Sequence, residues 1–226
     1  MKIGVLTFPG SNCDQDAVRV FTDFFQARTQ LLWYREAIHE DFDLLIVPGG
    51  FSYGDYLRAG AIARFAPAME SLQAHARRGG VVVGICNGFQ ILCESHLLPG
   101  ALIRNNSLLH ICRNVNLRAN PANRFAASLD DTRKYSLPIS HGEGNFRIDP
   151  DDLKALQDNN QIVFRYEHRD NPNGSVDDIA GISDRSMRVL GMMPHPERAV
   201  DPLTGGTDGR PILESILAVT GSAVGG

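Results

Sequence analysis

Five consecutive apolar positions, Val81-Val82-Val83-Gly84-Ile85, constrain this chain more than any other stretch. A strand with one face in water alternates apolar and polar residues. A run with no polar member in either phase is a strand buried on both faces, as at the centre of a parallel sheet. Such a strand needs helices above and below it, so the neighbouring sequence must supply them.

The first half does so by alternation. Lys2 to Phe8 reads as a strand, followed by Asn12 as a helix N-cap and by Ala17, Val18, Phe21, Phe24 and Phe25 at helical spacing. Thr29 to Trp33 and Asp43 to Val47 read as the next two strands, and a helix is expected within Gly60 to Ala76, bent at Pro67. The second half has strand patterns near Ser107 to Leu117, Leu137 to Ser140, Ile162 to Tyr166, Ile179 to Ile182 and Val189 to Met193. A last helix from about Pro211 to Val219 puts Ile212, Leu213, Ile216 and Leu217 on one face, and the tail from Gly221 to Gly226 is expected to fray. The pattern predicts a single α/β domain spanning residues 1–226: a flavodoxin-like, mostly parallel sheet with helices on both faces and an antiparallel strand extension.

Charge and cysteine usage exclude several classes of function. Lys and Arg number 22 against 26 Asp and Glu, with no dense basic cluster, which argues against nucleic acid as the partner. No apolar run approaches the roughly 18 residues of a membrane span, and the N-terminus lacks the pattern of a secretory signal, so a cytoplasmic protein is expected. Cys13, Cys86, Cys93 and Cys112 form no C-x-x-C pair. Neither a disulfide framework nor a metal site is expected.

Chemistry concentrates where the buried strand ends. Gly84-Ile85-Cys86-Asn87-Gly88-Phe89-Gln90 has the form of a nucleophile elbow, in which a side chain on a tight strand-to-helix turn requires small residues two positions before and after it. Cys86 then projects from the C-terminal edge of the sheet, where open α/β sheets bind ligands, and the following helix N-terminus favours negative charge there. The other three cysteines have no comparable setting. Among seven histidines, His195 stands out in Met193-Pro194-His195-Pro196-Glu197. The prolines favour extended backbone, in which residues two apart point the same way, so Glu197 can orient the His195 ring while its other nitrogen faces the thiol. The turn Pro48-Gly49-Gly50 ends another central strand, and the Gly50 and Asn87 N–H groups are the expected oxyanion donors.

Together these motifs resemble the class I (triad) glutamine amidotransferases: a Pro-Gly-Gly turn, a Gly-x-Cys-x-Gly-x-Gln elbow and a late His-Pro-Glu, in that order. Within that family, Pro9 to Asp14, Pro48 to Gly60, Ile85 to Gln90, His141 to Gly144 and Pro194 to Arg198 are similar to the small glutaminase subunits of phosphoribosylformylglycinamidine synthases. The resemblance implies that Cys86 attacks the glutamine side-chain amide, that His195 moves the proton, that Glu197 orients His195 and that Gln90 holds substrate. It further implies two partners, a synthetase subunit and a small bridging subunit, with ATP and Mg on the synthetase; this chain has no phosphate-binding loop motif and no cofactor is expected in it. The segments Phe51 to Arg58, His141 to Gly144 and Leu203 to Arg210 suit either a pocket flap or partner contacts, or plain solvated loops. Two other readings stand beside this one: a partner-independent cysteine hydrolase of γ-glutamyl or peptide bonds, and a catalytically silent module.

Overall fold

The computed structural model describes residues 1–221. Nine strands form one sheet in the order β2-β1-β3-β4-β11-β10-β9-β6-β7. The parallel part comprises β1 (Lys2–Thr7), β2 (Arg28–Trp33), β3 (Leu44–Val47), β4 (Val81–Ile85) and β11 (Val189–Met192). Every residue of β3, β4 and β11 is buried, as the unbroken apolar runs require. β2 lies at one edge and exposes Leu31 and Trp33.

Helix α1 (Asp14–Arg19), extended by a π-helical turn over Val20–Phe24, links β1 to β2, and α2 (Pro67–Arg77) links β3 to β4. These crossovers run in opposite directions along the sheet from β1 and β3. Right-handed connections therefore place α1 and α2 on opposite faces. The antiparallel extension is β10 (Ile179–Ser183), β9 (Ile162–Tyr166), β6 (Ile111–Ala119) and β7 (Tyr135–His141). The closing edge strand β7 alternates buried and half-buried residues, as a strand with one covered face does.

Several expectations shift. Pro67 opens α2 rather than bending it, because proline at the first helical position loses only an N–H that has no partner anyway. Asn12 is not the cap of α1; Cys13 is. The sequence gives no sign of the two-stranded sheet of β5 (Ala101–Ile103) and β8 (Asn145–Arg147), nor of α4 (Pro150–Asp158), which buries only Leu156 and so carries a weak apolar stripe. α3 (Asn87–Glu94) follows β4 directly and is buried over most of its length, whereas α5 (Gly209–Gly221) starts two residues earlier than expected and packs its Ile212, Leu213 and Ile216 face inward. Of the tail expected to fray, 222–226 lie outside the described residues.

Candidate active site

Cys86 occupies the turn between β4 and α3 with φ 52° and ψ −106°, a strained conformation for a residue with a Cβ. The flanking glycines make the turn possible. A Cβ on Gly84 would lie 2.6 Å from the Gly88 carbonyl oxygen, and one on Gly88 would lie 1.9 Å from that of Val47. The Cys86 N–H donates to the Met192 carbonyl at 2.8 Å, fastening the elbow to the end of β11, and its Sγ lies 3.8 Å from the Ser140 carbonyl.

The chain after β11 delivers His195 and Glu197, both buried. His195 Nδ1 and Glu197 Oε1 are 2.7 Å apart, and the His195 backbone N–H donates to the Pro138 carbonyl of β7 at 2.9 Å. The two side chains meet, but not through the extended segment expected: Pro196–Arg198 is a 3-10 turn, and that turn brings the carboxylate back to the ring. Burial disfavours the imidazolium. The Glu197 carboxylate, the Cys86 sulfur and hydrogen bonds with Cys13 and Cys86 outweigh it, holding the His195 pKa well above the usual histidine range.

Gly49 and Gly50 close the site from the end of β3. A Cβ on Gly49 would sit 2.7 Å from His195 Cε1 and 3.4 Å from Cys86 Cβ, while Gly50, at φ +147°, leaves no room against Gly10 and Ser11. The Asn87 N–H lies in the first turn of α3, where no intrahelical acceptor exists. The Asn87 side chain accepts from the Ser52 N–H at 3.1 Å and donates to Gln90 Oε1 at 2.9 Å and Asp55 Oδ1 at 3.3 Å. Gln90 Nε2 donates to the Glu143 carbonyl at 2.6 Å. A cavity of about 180 Å³ opens over Cys86, with Gly50, Gln90, Asp55, His141 and Glu143 in its walls. A larger cavity, about 350 Å³, lies on the far side of Glu197 among Asp16, Arg19 and Arg198, and its lining does not include Cys86.

The family model for the CobB/CobQ-like glutamine amidotransferase domain matches residues 1–207. The chain belongs to that family. This amidotransferase is 55% identical over 218 residues, 96% of each chain, to the phosphoribosylformylglycinamidine synthase subunit PurQ of Synechococcus sp. (strain JA-2-3B'a(2-13)). It is 50% identical over 218 residues to the PurQ subunit of Leptospira interrogans, covering 96% of this chain and 99% of that one. A chain in the structure of PurLQS from Thermotoga maritima superposes with a TM-score of 0.86 at 39% identity, over 96% of this chain and 97% of its own. At 14% identity, another glutamine amidotransferase of Thermotoga maritima shares the fold, with a TM-score of 0.64 over 99% of each chain.

Around the amidotransferase's elbow, sequence reasoning missed Cys13 and marked His141 only as the start of a segment that suited a flap, a partner contact or a solvated loop. Nothing in the sequence separates Cys13 from a bystander, yet its Sγ reaches the His195 ring; burial, the largest influence, raises its thiol pKa. Among the described residues, Cys13, His195 and Glu197 form a cluster whose ligand atoms lie within 4.8 Å of one another, the spacing a metal ion needs, although His195 Nδ1 already serves Glu197. The only available signal for Cys13 was its place just beyond β1, at the same sheet edge as Cys86. His141 is buried beside the cavity with both ring nitrogens unpartnered; burial, then the charges of His195 and His110, hold its pKa down to about 4.

Proposed function

We propose that this chain is the glutaminase subunit of a phosphoribosylformylglycinamidine synthase. It hydrolyses glutamine to glutamate and ammonia and passes the ammonia to an ATP-dependent synthetase subunit, which converts formylglycinamide ribonucleotide to formylglycinamidine ribonucleotide in purine biosynthesis. The observation that carries the reading is the buried His195–Glu197 pair at 2.7 Å behind a cysteine on a strained elbow that opens into a cavity. Likeness over nearly the full length of named PurQ subunits selects this branch of the family.

In the proposed mechanism the Cys86 sulfur attacks the carboxamide carbon of glutamine, and the oxyanion that forms is met by the Gly50 and Asn87 N–H groups. His195 carries the thiol proton and gives it to the departing ammonia, while Glu197 stabilises the charged ring and fixes its orientation. The remaining thioester on Cys86 is cleaved by a water molecule that His195 deprotonates, releasing glutamate. Gln90 supports the substrate wall. The chain needs no metal or cofactor for these steps; ATP and Mg belong to the synthetase, and a small bridging subunit completes the assembly. No helix among the described residues is long and apolar enough to cross a membrane, and four free cysteines suit the reducing cytoplasm in which we place the enzyme.

The test is intact-mass labelling with an electrophilic glutamine analogue, with and without the synthetase subunit. One adduct is expected, blocked by glutamine, absent from Cys86→Ser and formed faster with the partner. An adduct that persists in Cys86→Ser, or none under either condition, would overturn the reading.

A further inference from the structure

The nucleophile elbow has a second thiol close by. Cys13 enters from the turn after β1, and His195 and Glu197 from the chain after β11. All three are at most 3% exposed, and a thiol sulfur, a ring nitrogen and a carboxylate oxygen lie within 4.8 Å of one another. Gly49 makes the approach possible, since a Cβ there would sit 3.0 Å from Cys13 Sγ and 2.7 Å from His195 Cε1. The Cys13 N–H donates to the Gly49 carbonyl at 3.3 Å, which fixes the sulfur by its own backbone. Cys93, equally buried, instead donates to the Pro99 carbonyl at 3.7 Å, so burial alone does not gather ligands.

The carboxylate of this cluster has an oxygen to spare. Glu197 Oε1 serves the His195 ring, but Oε2 is buried and has no hydrogen-bond partner among the described residues. A carboxylate oxygen withdrawn from water without a partner is costly, and a bound cation relieves it. Glu197 also borders the cavity of about 350 Å³ whose lining does not include Cys86, so a small solute approaches it from behind rather than through the substrate side. The Arg198 guanidinium in that cavity is engaged by Asp16 Oδ2, at 2.9 Å from Nε and 2.8 Å from Nη2.

One sulfur, one nitrogen and one oxygen make the donor set of a zinc-class cation, whereas Mg²⁺ and Ca²⁺ take oxygen. Bonds of about 2.0 Å from such an ion to nitrogen and oxygen, at a tetrahedral angle, place those two atoms about 3.3 Å apart. His195 Nδ1 and Glu197 Oε1 are 2.7 Å apart, so a small opening of the pair admits the ion. We propose that Cys13, His195 Nδ1 and Glu197 form an inhibitory site for a zinc-class divalent cation. The ion replaces the proton between Nδ1 and Oε1 and the proton of the Cys13 thiol, and both protons go to solvent. The ring that was charged becomes neutral and keeps its remaining proton on Nε2. There it can neither accept the proton of Cys86 nor give one to departing ammonia. Binding concerns this cluster alone, while the inhibition rests on the glutaminase reading.

The probe is Co²⁺, added to the metal-free full chain and displaced by Zn²⁺; a sulfur-to-cobalt charge-transfer band reports each thiolate ligand. One Co²⁺ per chain with one thiolate is expected, unchanged in Cys86→Ser and weakened at least about 100-fold in Cys13→Ala, beyond the loss typical of an outer-shell contact. Glu197→Gln should weaken it in the same direction, which keeps the test standing if Cys13→Ala does not fold. A band that Cys86→Ser abolishes would put the ion on the nucleophile, and one that survives Cys13→Ala at full strength would put it on another cysteine. Either result overturns the inference, as does the absence of any band at millimolar Co²⁺. In the complex with the synthetase and small subunits, Zn²⁺ is expected to lower kcat for ammonia release and leave the KM for glutamine in place, with Cys13→Ala resistant. Inhibition relieved by excess glutamine would place the ion on the substrate side and overturn the inhibitory assignment. A wild-type complex that releases no ammonia from glutamine would remove the glutaminase reading, while the Co²⁺ result still decides the site.

Discussion

The elbow and the flap line one cavity and are held in different ways. At the elbow, backbone meets backbone: Gly88 lies so close to β3 that any side chain would strike the Val47 carbonyl, and Cys86 is held at positive φ by the strand before it and the helix after it. The flap has three consecutive positive-φ residues, Tyr53, Gly54 and Asp55, and exposes Tyr56 and Leu57 to solvent. Its start is tied by backbone to the loop after β1, Phe51 N–H to the Gly10 carbonyl at 2.9 Å and Tyr53 N–H to the Pro9 carbonyl at 2.7 Å, but its remainder is fastened by side chains, with Asn87 holding Asp55 and the Arg58 guanidinium bidentate on Glu94. The reacting atom is placed by a rigid frame, whereas Asp55 opposite it is placed by a side-chain bond that can break singly.

Substitutions in the two regions test that contrast. Gly88→Ala should cost about 4 kcal/mol or prevent folding, because the new methyl meets main chain that cannot rotate away; a denaturant midpoint close to wild type would show that the elbow yields. An intermediate effect is expected on the wall between them. His141 binds its proton less readily folded than unfolded, so the folded state holds fewer protons as pH falls from about 6.5 to about 4, and stability is lost across that window. His75, also depressed by burial, acts in the same direction, and Asp55, raised to about 6, acts in the opposite one. Subtracting the profile of His141→Gln isolates the His141 share, at most about 3 kcal/mol by pH 4; a difference that does not change with pH would mean that the ring is not held neutral. The smallest effect belongs to Gly54→Ala. A Cβ there meets nothing within 4 Å, leaving only the positive-φ penalty of about 1 to 2 kcal/mol. A loss as large as that of Gly88→Ala would mean that the flap is as rigid as the elbow.

The same contrast explains what could be read from the sequence. Elbow geometry is local: small residues two positions either side of Cys86 follow from sterics within one turn, and His195 with Glu197 are neighbours along the chain. The five-residue run of β4 announced its central place for the same reason, since burial on both faces leaves a mark in composition. For Asp55, His141 and Glu143 the sequence marked only their segments, and left flap, partner contact and solvated loop open. They share one cavity wall only when the flap, the end of β7 and the following loop are folded against each other, and no spacing rule links those segments. Cys13 was missed likewise, because its significance lies in a contact with His195 from the other end of the chain. The short pair β5 and β8 and the nearly solvated α4 were illegible for a simpler reason: their apolar stripes are too thin to set a period.

β11, the last strand along the chain among the described residues, inserts between β4 and β10 in the middle of the sheet. Until it emerges from the ribosome, β4 has an unpaired edge of apolar backbone, an invitation to pairing with other chains. The loop that must close to seat it is among the longest in the chain, which makes this a late and slow event in folding. The Cys86 amide finds its acceptor on Met192 only at that step, and His195 arrives three residues later. A nascent or truncated chain therefore carries an unarmed thiol, and the enzyme acquires its reactivity only as the sheet is completed.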